Sequence, residues 1–305
     1  MSTTPIADAT WYLDLNFMGA PRLIATGVLE TEDGLLLVDP GPASTLEALE
    51  EGLAEDGYDW NDVAGLLLTH IHLDHAGGTG TIVKHVPHVQ VYVHQRGARH
   101  LVDPTRLLRS ARHIYGDMLD KLWGAVEAVP DENVHALTGG EQLQIGARKL
   151  DVAYTPGHAV HHVSFFDRRT GTAFIGDVGG LRVAGAEYVL PVAPPPDIHL
   201  DDWHDSIEWV QAWAPERLFV THFGAFEDVD RHLRDMDDRL DAFANRVRAD
   251  LRAEDEAADP AEQFHAEQVA AMKAETPAPL QPPYEHFGRP KESWHGLARY
   301  WRKRG

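Results

Sequence analysis

Five short apolar runs in this chain each end in a potential ligand or acid and then break into a small-residue turn: LLLVDPGP, LLLTHIHLDHAGG, VAYTPGH, AFIGDVGG and LFVTHFG. A run of this kind, four to eight residues long and bounded by Gly or Pro, reads as a buried strand. α/β folds carry functional side chains outside the carboxyl ends of such strands. Coincidence at so many strand ends is improbable, so the pattern demands a fold that brings them to one edge.

The rest of the chain supports that reading. RLIATGVLET and DGLLLVDPGP form a hairpin around Asp33-Gly34, and STLEALEEGLAEDG has a helical period, with Ser44 and Glu47 spaced as a capping box. A strand (AGLLLTH), a short helix and another strand (VQVYVH) follow. Residues 97–128 are mostly helical and separate two strand-rich halves. Strands resume in EQLQIGARKLDVAYTPGH, HHVSFFD and GTAFIGD, with DRRTG as the turn between the last two, and then RLFVTHFG. From Asp228, apolar residues recur at spacings of four and three as far as Leu251, which gives a long helix one apolar face. That face covers the main domain's flank; a seam between two copies is the alternative, so a homo-oligomer through the C-terminal helices is open. Residues 276–290 form a Pro-rich connector, and a short basic helix ends the sequence. The division is a domain over residues 1–227 and a helical extension over 228–305.

Within THIHLDH, His70 and His72 stand two residues apart, so on an extended segment their imidazoles share a side and can share a cation. Ala76, Gly77 and Gly78 allow the turn that brings Asp74 and His75 toward a second cation. His158, Asp177 and His222 are the remaining strand-end candidates. With no cysteine in the chain, any metal is held by nitrogen and oxygen, which suits zinc first and admits iron or manganese.

The set THIHLDH, TPGH, GD and THFG, over roughly residues 20–225, resembles the metallo-β-lactamase superfamily. The resemblance implies an α/β fold, an αββα sandwich with a helical insertion and a C-terminal helical extension. It implies a site for two divalent metal ions, with His70, His72 and His158 at the first, Asp74, His75 and His222 at the second and Asp177 bridging them. Asp39 would support the ligands from behind. The expected chemistry is hydrolysis of an ester, thioester or lactone carbonyl by a metal-bridging hydroxide, with Asp74 orienting it and passing a proton to the leaving group.

The β-lactamases proper use a cysteine or lack the bridging carboxylate, so glyoxalase II and the lactonases are the better match. The stretch VGGLRVAGAEYVLPVAPPPD departs from glyoxalase II, however, and the similarity to that enzyme stops at the metal site. Hydrolysis of a small phosphoester or phosphotriester, and a non-catalytic metal-binding regulator, are the alternatives. Tyr115, in the insertion, and Tyr188, behind Asp177, are candidate carbonyl-assisting residues. His199 and His204 are weaker pocket candidates, and His94, His161 and His162 are left outside the ligand set. The insertion, from Leu107 to Trp123, is apolar enough to be either a pocket wall or scaffold.

A formal net charge of −21 disfavours nucleic acid, whose binding rests on clustered cations. No stretch reads as a signal peptide or a membrane span, so a cytoplasmic protein acting on a small molecule, away from membranes, is expected.

Overall fold

The computed structural model describes residues 3–253 and 259–305. Two sheets face each other. The first comprises β1 (Thr4–Ala7), β2 (Thr10–Asp14), β3 (Ala25–Thr31), β4 (Gly34–Val38), β5 (Val63–Leu67), β6 (Gln90–His94) and β7 (Val134–Leu137), paired in chain order. The second comprises β8 (Gln142–Ile145), β9 (Arg148–Tyr154), β10 (Val163–Asp167), β11 (Thr172–Phe174), β12 (Arg217–Val220) and β13 (Gly224–Phe226), in the order β13-β12-β11-β10-β9-β8.

The side-chain alternation of a strand explains the layering. Along β4, Leu35 and Leu37 point outward while Leu36 and Val38 point between the sheets, where they meet Phe165, Phe174 and Phe219. Both faces are buried, which is why the strand reads as an unbroken apolar run. The outer face of the first sheet is covered by α1 (Leu46–Glu55), α2 (Leu73–Ala76), α3 (Thr79–His85), α4 (Gln95–Val102), α5 (Thr105–Tyr115) and α6 (Leu119–Trp123). The outer face of the second sheet is covered by α7 (Leu200–Ala212), α8 (Val229–Asp250), α9 (Pro260–Glu275), α10 (Pro282–Phe287) and α11 (Pro290–Arg304). The result is the expected αββα sandwich. Among the described residues, no helix is long and apolar enough to cross a membrane.

Several local features differ from the sequence reading. β1 and β2 add an antiparallel margin for which that reading has no strand. α7 is a further addition, although Leu200, Trp203, Ile207 and Val210 have its spacing and are all buried. The Ser44–Glu47 capping box does not form: Ser44 Oγ instead donates to the carbonyl of Leu122 at 2.6 Å, tying the insertion down, and α1 starts only at Leu46. Residues 276–290, read as a connector, are folded and contain α10. The apolar face of α8, including Leu233, Met236, Leu240 and Phe243, is buried inside the chain against the second sheet and its neighbouring helices.

Two polar ties hold the layers, one buried and one part-exposed. At the edge away from the histidines, the fully buried Arg148 guanidinium pairs with Asp167 and donates to the carbonyls of Ala9 and Glu30, so it bridges the two sheets. Between α7 and α8, His204 lies 2.5 Å from Asp237 and 3.2 Å from Asp241. Burial lowers the proton affinity of this ring, but the two carboxylates outweigh it and its pKa is raised above 6.5. The folded state therefore holds this proton more tightly than the unfolded chain does. The stabilisation is complete below the unfolded value and fades as pH rises through the folded one. In urea unfolding, the stability gap between the native protein and His204→Gln should be largest near about pH 5.5 and shrink above neutrality.

Candidate metal centre

The strand ends converge as the sequence requires. β4 and β5 run parallel, so Asp39 and the segment after Leu67 emerge side by side. β9, β11 and β12 also share one direction, and they deliver His158, Asp177 and His222 to the same edge. The chain turns earlier than the HIHLDH spacing suggests. His70 to His72 is extended, and α2 begins at Leu73, so Asp74 and His75 both sit on its single turn. Gly176 allows the closest approach: at φ +45°, a Cβ there would stand 2.6 Å from Thr69 Oγ1 and 2.8 Å from His162 Nε2.

Four of the five ligand-type imidazoles, all but that of His72, are oriented through one nitrogen. His158 Nδ1 donates to the carbonyl of Val192 and His222 Nδ1 to that of Leu23, both at 2.7 Å. His75 Nδ1 donates to Asp39 Oδ2 at 2.8 Å. The Thr69 hydroxyl gives its proton to Asp39 Oδ2 (2.7 Å), so toward His70 Nδ1 at 3.1 Å it accepts. With Nδ1 committed as donor in all four rings, Nε2 is the nitrogen left to present a lone pair to a metal.

Those lone pairs face one another. His72 Nδ1 lies 2.9 Å from His70 Nε2 and 3.0 Å from His158 Nε2. One ring proton cannot serve two such acceptors well; one cation can. Asp177 Oδ2 is 3.4 Å from His158 Nε2, while its Oδ1 is 3.2 Å from His75 Nε2 and 3.5 Å from His222 Nε2. Asp74 Oδ2 lies 3.5 Å from His222 Nε2 and 3.8 Å from His75 Nε2. The ligand-type atoms thus fall into the groups His70/His72/His158, His70/His75/Asp177 and Asp74/His75/His222. His75 Nε2, His222 Nε2 and Asp177 Oδ1 are buried without a hydrogen-bond partner. Buried polar atoms are rarely left so, and three orphans aimed at a common space fit a metal site.

The electrostatics agree. Burial pushes the pKa values of His70 and His72 down and that of His158 to about 4, which keeps these rings neutral. Burial would raise Asp177, but His75, His222 and His158 outweigh it and hold the carboxyl well below its usual range. Asp74 is drawn down to about 2 by His75 and His222 against the same burial. Around His75, three carboxylates (Asp177, Asp39 and Asp74) overcome desolvation and raise its proton affinity. The pocket wants positive charge.

A family model described as the metallo-beta-lactamase superfamily matches residues 19–222. The chain belongs to that superfamily. A metallo-beta-lactamase fold-containing protein of Sulfurisphaera tokodaii is 29% identical over 176 residues, covering 56% of this chain and 65% of that protein. A hydroxyacylglutathione hydrolase of Aeromonas salmonicida is 29% identical over 191 residues, covering 63% of this chain and 57% of the relative. The chain therefore spans less than two thirds of the length of both. A metallo-beta-lactamase family protein from Thermus thermophilus superposes with a TM-score of 0.71 at 22% identity, over 98% of this chain and 94% of its own, so the likeness in fold extends into the C-terminal helices.

A cavity of 960 Å³ opens beside the ligand-type residues, with His72, Asp74, His158 and Asp177 in its floor. Tyr115, Trp123 and other residues of the α5–α6 insertion form a wall, and Phe287, Gly288, Arg289, Glu292 and Ser293 add to the lining. Tyr188 is not there. After Asp177 the chain crosses, through a Leu181–Leu190 bridge, to the outer face of the second sheet, and the Tyr188 ring is fully buried against Arg239 and Tyr284. His199 accepts from the Asp202 amide at the start of α7 and His204 faces α8, so neither lines the cavity. His94 stacks on Tyr154 and accepts from the Arg96 amide. His161, which matches no ligand position in the sequence, does line the cavity, with its ring centroid 5.7 Å from that of His72. Phe287 is a residue that sequence reasoning misses: its ring packs on His222 at 4.2 Å between centroids, yet no local pattern links the two.

Asp39 takes the position expected of a supporting carboxylate, accepting from the Thr69 amide and hydroxyl, the Thr221 hydroxyl and His75. Asp39→Asn should weaken metal binding by about 10- to 100-fold, measured by competition with a chromophoric chelator, because His75 loses the acceptor that fixes its ring.

Proposed function

We propose that this protein is a dinuclear metal-dependent hydrolase acting on an ester, thioester or lactone carbonyl. The observation that carries the reading is the Asp177 carboxylate, which turns one oxygen toward His158 and the other toward His75 and His222. In the assignment it supports, His70, His72 and His158 hold one cation and Asp74, His75 and His222 the other, with Asp177 between them. Bound there, two divalent ions supply a water activated at neutral pH and polarisation of a carbonyl oxygen. Zinc suits this donor set first, with iron and manganese also compatible.

The protein's own groups do the rest. Asp74 has the more exposed side chain of the two clustered carboxylates and lines the cavity, which suits it to receive a proton at its carboxylate and return it to the leaving group. The half-buried Tyr115 lines the same space, and burial pushes its hydroxyl up to about 12, so it stays protonated and available as a donor to a developing oxyanion. The named activity of the hydroxyacylglutathione hydrolase relative favours the thioester and ester classes over phosphoesters.

Elemental analysis together with a panel of lactone, thioester, aryl ester and phosphotriester substrates tests the reading. About two metals per chain are expected, with carbonyl-substrate turnover abolished in Asp177→Asn. A protein that takes up no metal on reconstitution, or whose turnover survives the substitution, would refute it. Tyr115→Phe should lower kcat by about tenfold or more with little change in KM, in steady-state kinetics on the preferred substrate.

A further inference from the structure

The cavity is chemically divided. One face of α4 presents Arg96, Arg99 and His100 to it, and Arg106 stands at the start of α5. Farther along the same face of α5 come Leu107, Ala111 and Ile114, so the wall passes from cationic to apolar within three helical turns. Burial is the main reason that His100 is held below its usual proton affinity, and the guanidinium charges of Arg99 and Arg106 are the next, which places a cation from each helix around one imidazole. α4 is pressed onto the metal-binding segment: a Cβ on Gly97 would stand 2.8 Å from Ile71 and 3.5 Å from the Cβ of His161. The helix that carries two of the cations is thus packed beside the segment that carries His70 and His72.

These arginines are not neutralised by paired carboxylates, although Asp103 feels the charge of Arg106. Among the described residues, none forms an ion pair with Arg96, Arg99 or Arg106, whereas Arg148, Arg182, Arg246 and Arg304 are all paired. The chain has 48 acidic against 27 basic residues, yet beyond Asp74 and Asp177 the cavity lining sets four arginines, Arg289 included, against two carboxylates, Asp197 and Glu292. An overall field of that sign would repel an anion, so an anionic ligand needs a local cationic mouth of this kind.

We propose that the substrate is an amphipathic anion, its carboxylate or phosphate held by Arg96, Arg99 and Arg106 and its apolar portion lying along Leu107, Ala111 and Ile114. The proposal rests on the hydrolase reading for the position of the carbonyl, and it names the class of molecule that reading leaves open.

Two matched pairs test it on the metal-loaded protein at low ionic strength: p-nitrophenyl octanoate against the mono-p-nitrophenyl ester of octanedioic acid, and the octanoyl thioester of N-acetylcysteamine against that of coenzyme A. The anionic member of at least one pair should have the higher kcat/KM, by about tenfold, as two or three exposed ion pairs allow. The first pair reports a carboxylate and the second a phosphate. In Arg99→Gln/Arg106→Gln the ratio within the preferred pair should fall toward one, mainly through KM, whereas Arg99→Lys/Arg106→Lys should keep much of it. Equal or better turnover of the neutral member in both pairs, or a preference that survives the Gln variant, would overturn the proposal. If no member of either pair is turned over, the comparison passes from turnover to binding, and the hydrolase reading is judged on its own substrate panel. Calorimetric titration of Asp177→Asn with octyl phosphate, octanedioate and octanol then decides the anion site alone. Binding of an anion but not of octanol, lost in the Gln background, upholds it; indifference to the two arginines ends it.

Discussion

One buried carboxylate organises the edge where the two sheets meet. Asp39 follows β4 at a positive φ of 52°, a conformation that costs a non-glycine residue energy and persists where its surroundings determine it. Its two oxygens accept from the turn after β5, from the hydroxyl after β12 and from the ring of His75 on α2. One side chain thus fixes the relative positions of strand ends from both sheets. A lone buried charge would be costly, but four donors replace the water it has lost. The ligand-type residues inherit their placement from that knot, directly for His75 and through Thr69 for His70.

The cost of gathering so many ionisable groups in the interior is spread over the fold. His70, His75, His158 and His222 are all buried, and each uses a backbone, hydroxyl or carboxylate partner to settle one nitrogen while the other faces the common centre. The partners of His158 and His222 are the carbonyls of Val192 and Leu23, in segments that no ligand motif touches. The loops that look like spacers between strands therefore take part in orienting the rings.

The architecture was largely legible in the sequence because unbroken apolar runs and strand-end punctuation are local signals. LLLV, AGLLL and LFV could belong to little else than strands covered on both sides, and the residues after them could be named in advance. The convergence of the HIHLDH residues with the other strand-end histidines and aspartate was legible for the same reason. What stayed hidden depends on distant packing. Ser44 forsakes a cap for Leu122, Tyr188 follows its segment to the far face of a sheet, and Phe287 reaches His222 from an apparently loose proline-rich stretch. Arg99 and Arg106 read as ordinary surface charges until the two helices that carry them are seen to open on one cavity.

The contact between Phe287 and His222 has a consequence for the order in which the molecule comes into being. A chain emerging from its amino terminus presents HIHLDH first, adds His158 and Asp177 later, then His222, and supplies the aromatic ring that covers His222 after all of these. Until then the first histidines constitute only part of a centre, in a chain whose second sheet does not yet exist. On the proposed reading, tight metal capture is thereby tied to completion of the fold, as it is wherever ligands are assembled by tertiary structure. Nascent or damaged chains would hold metal weakly, and full occupancy would mark a molecule that has finished folding.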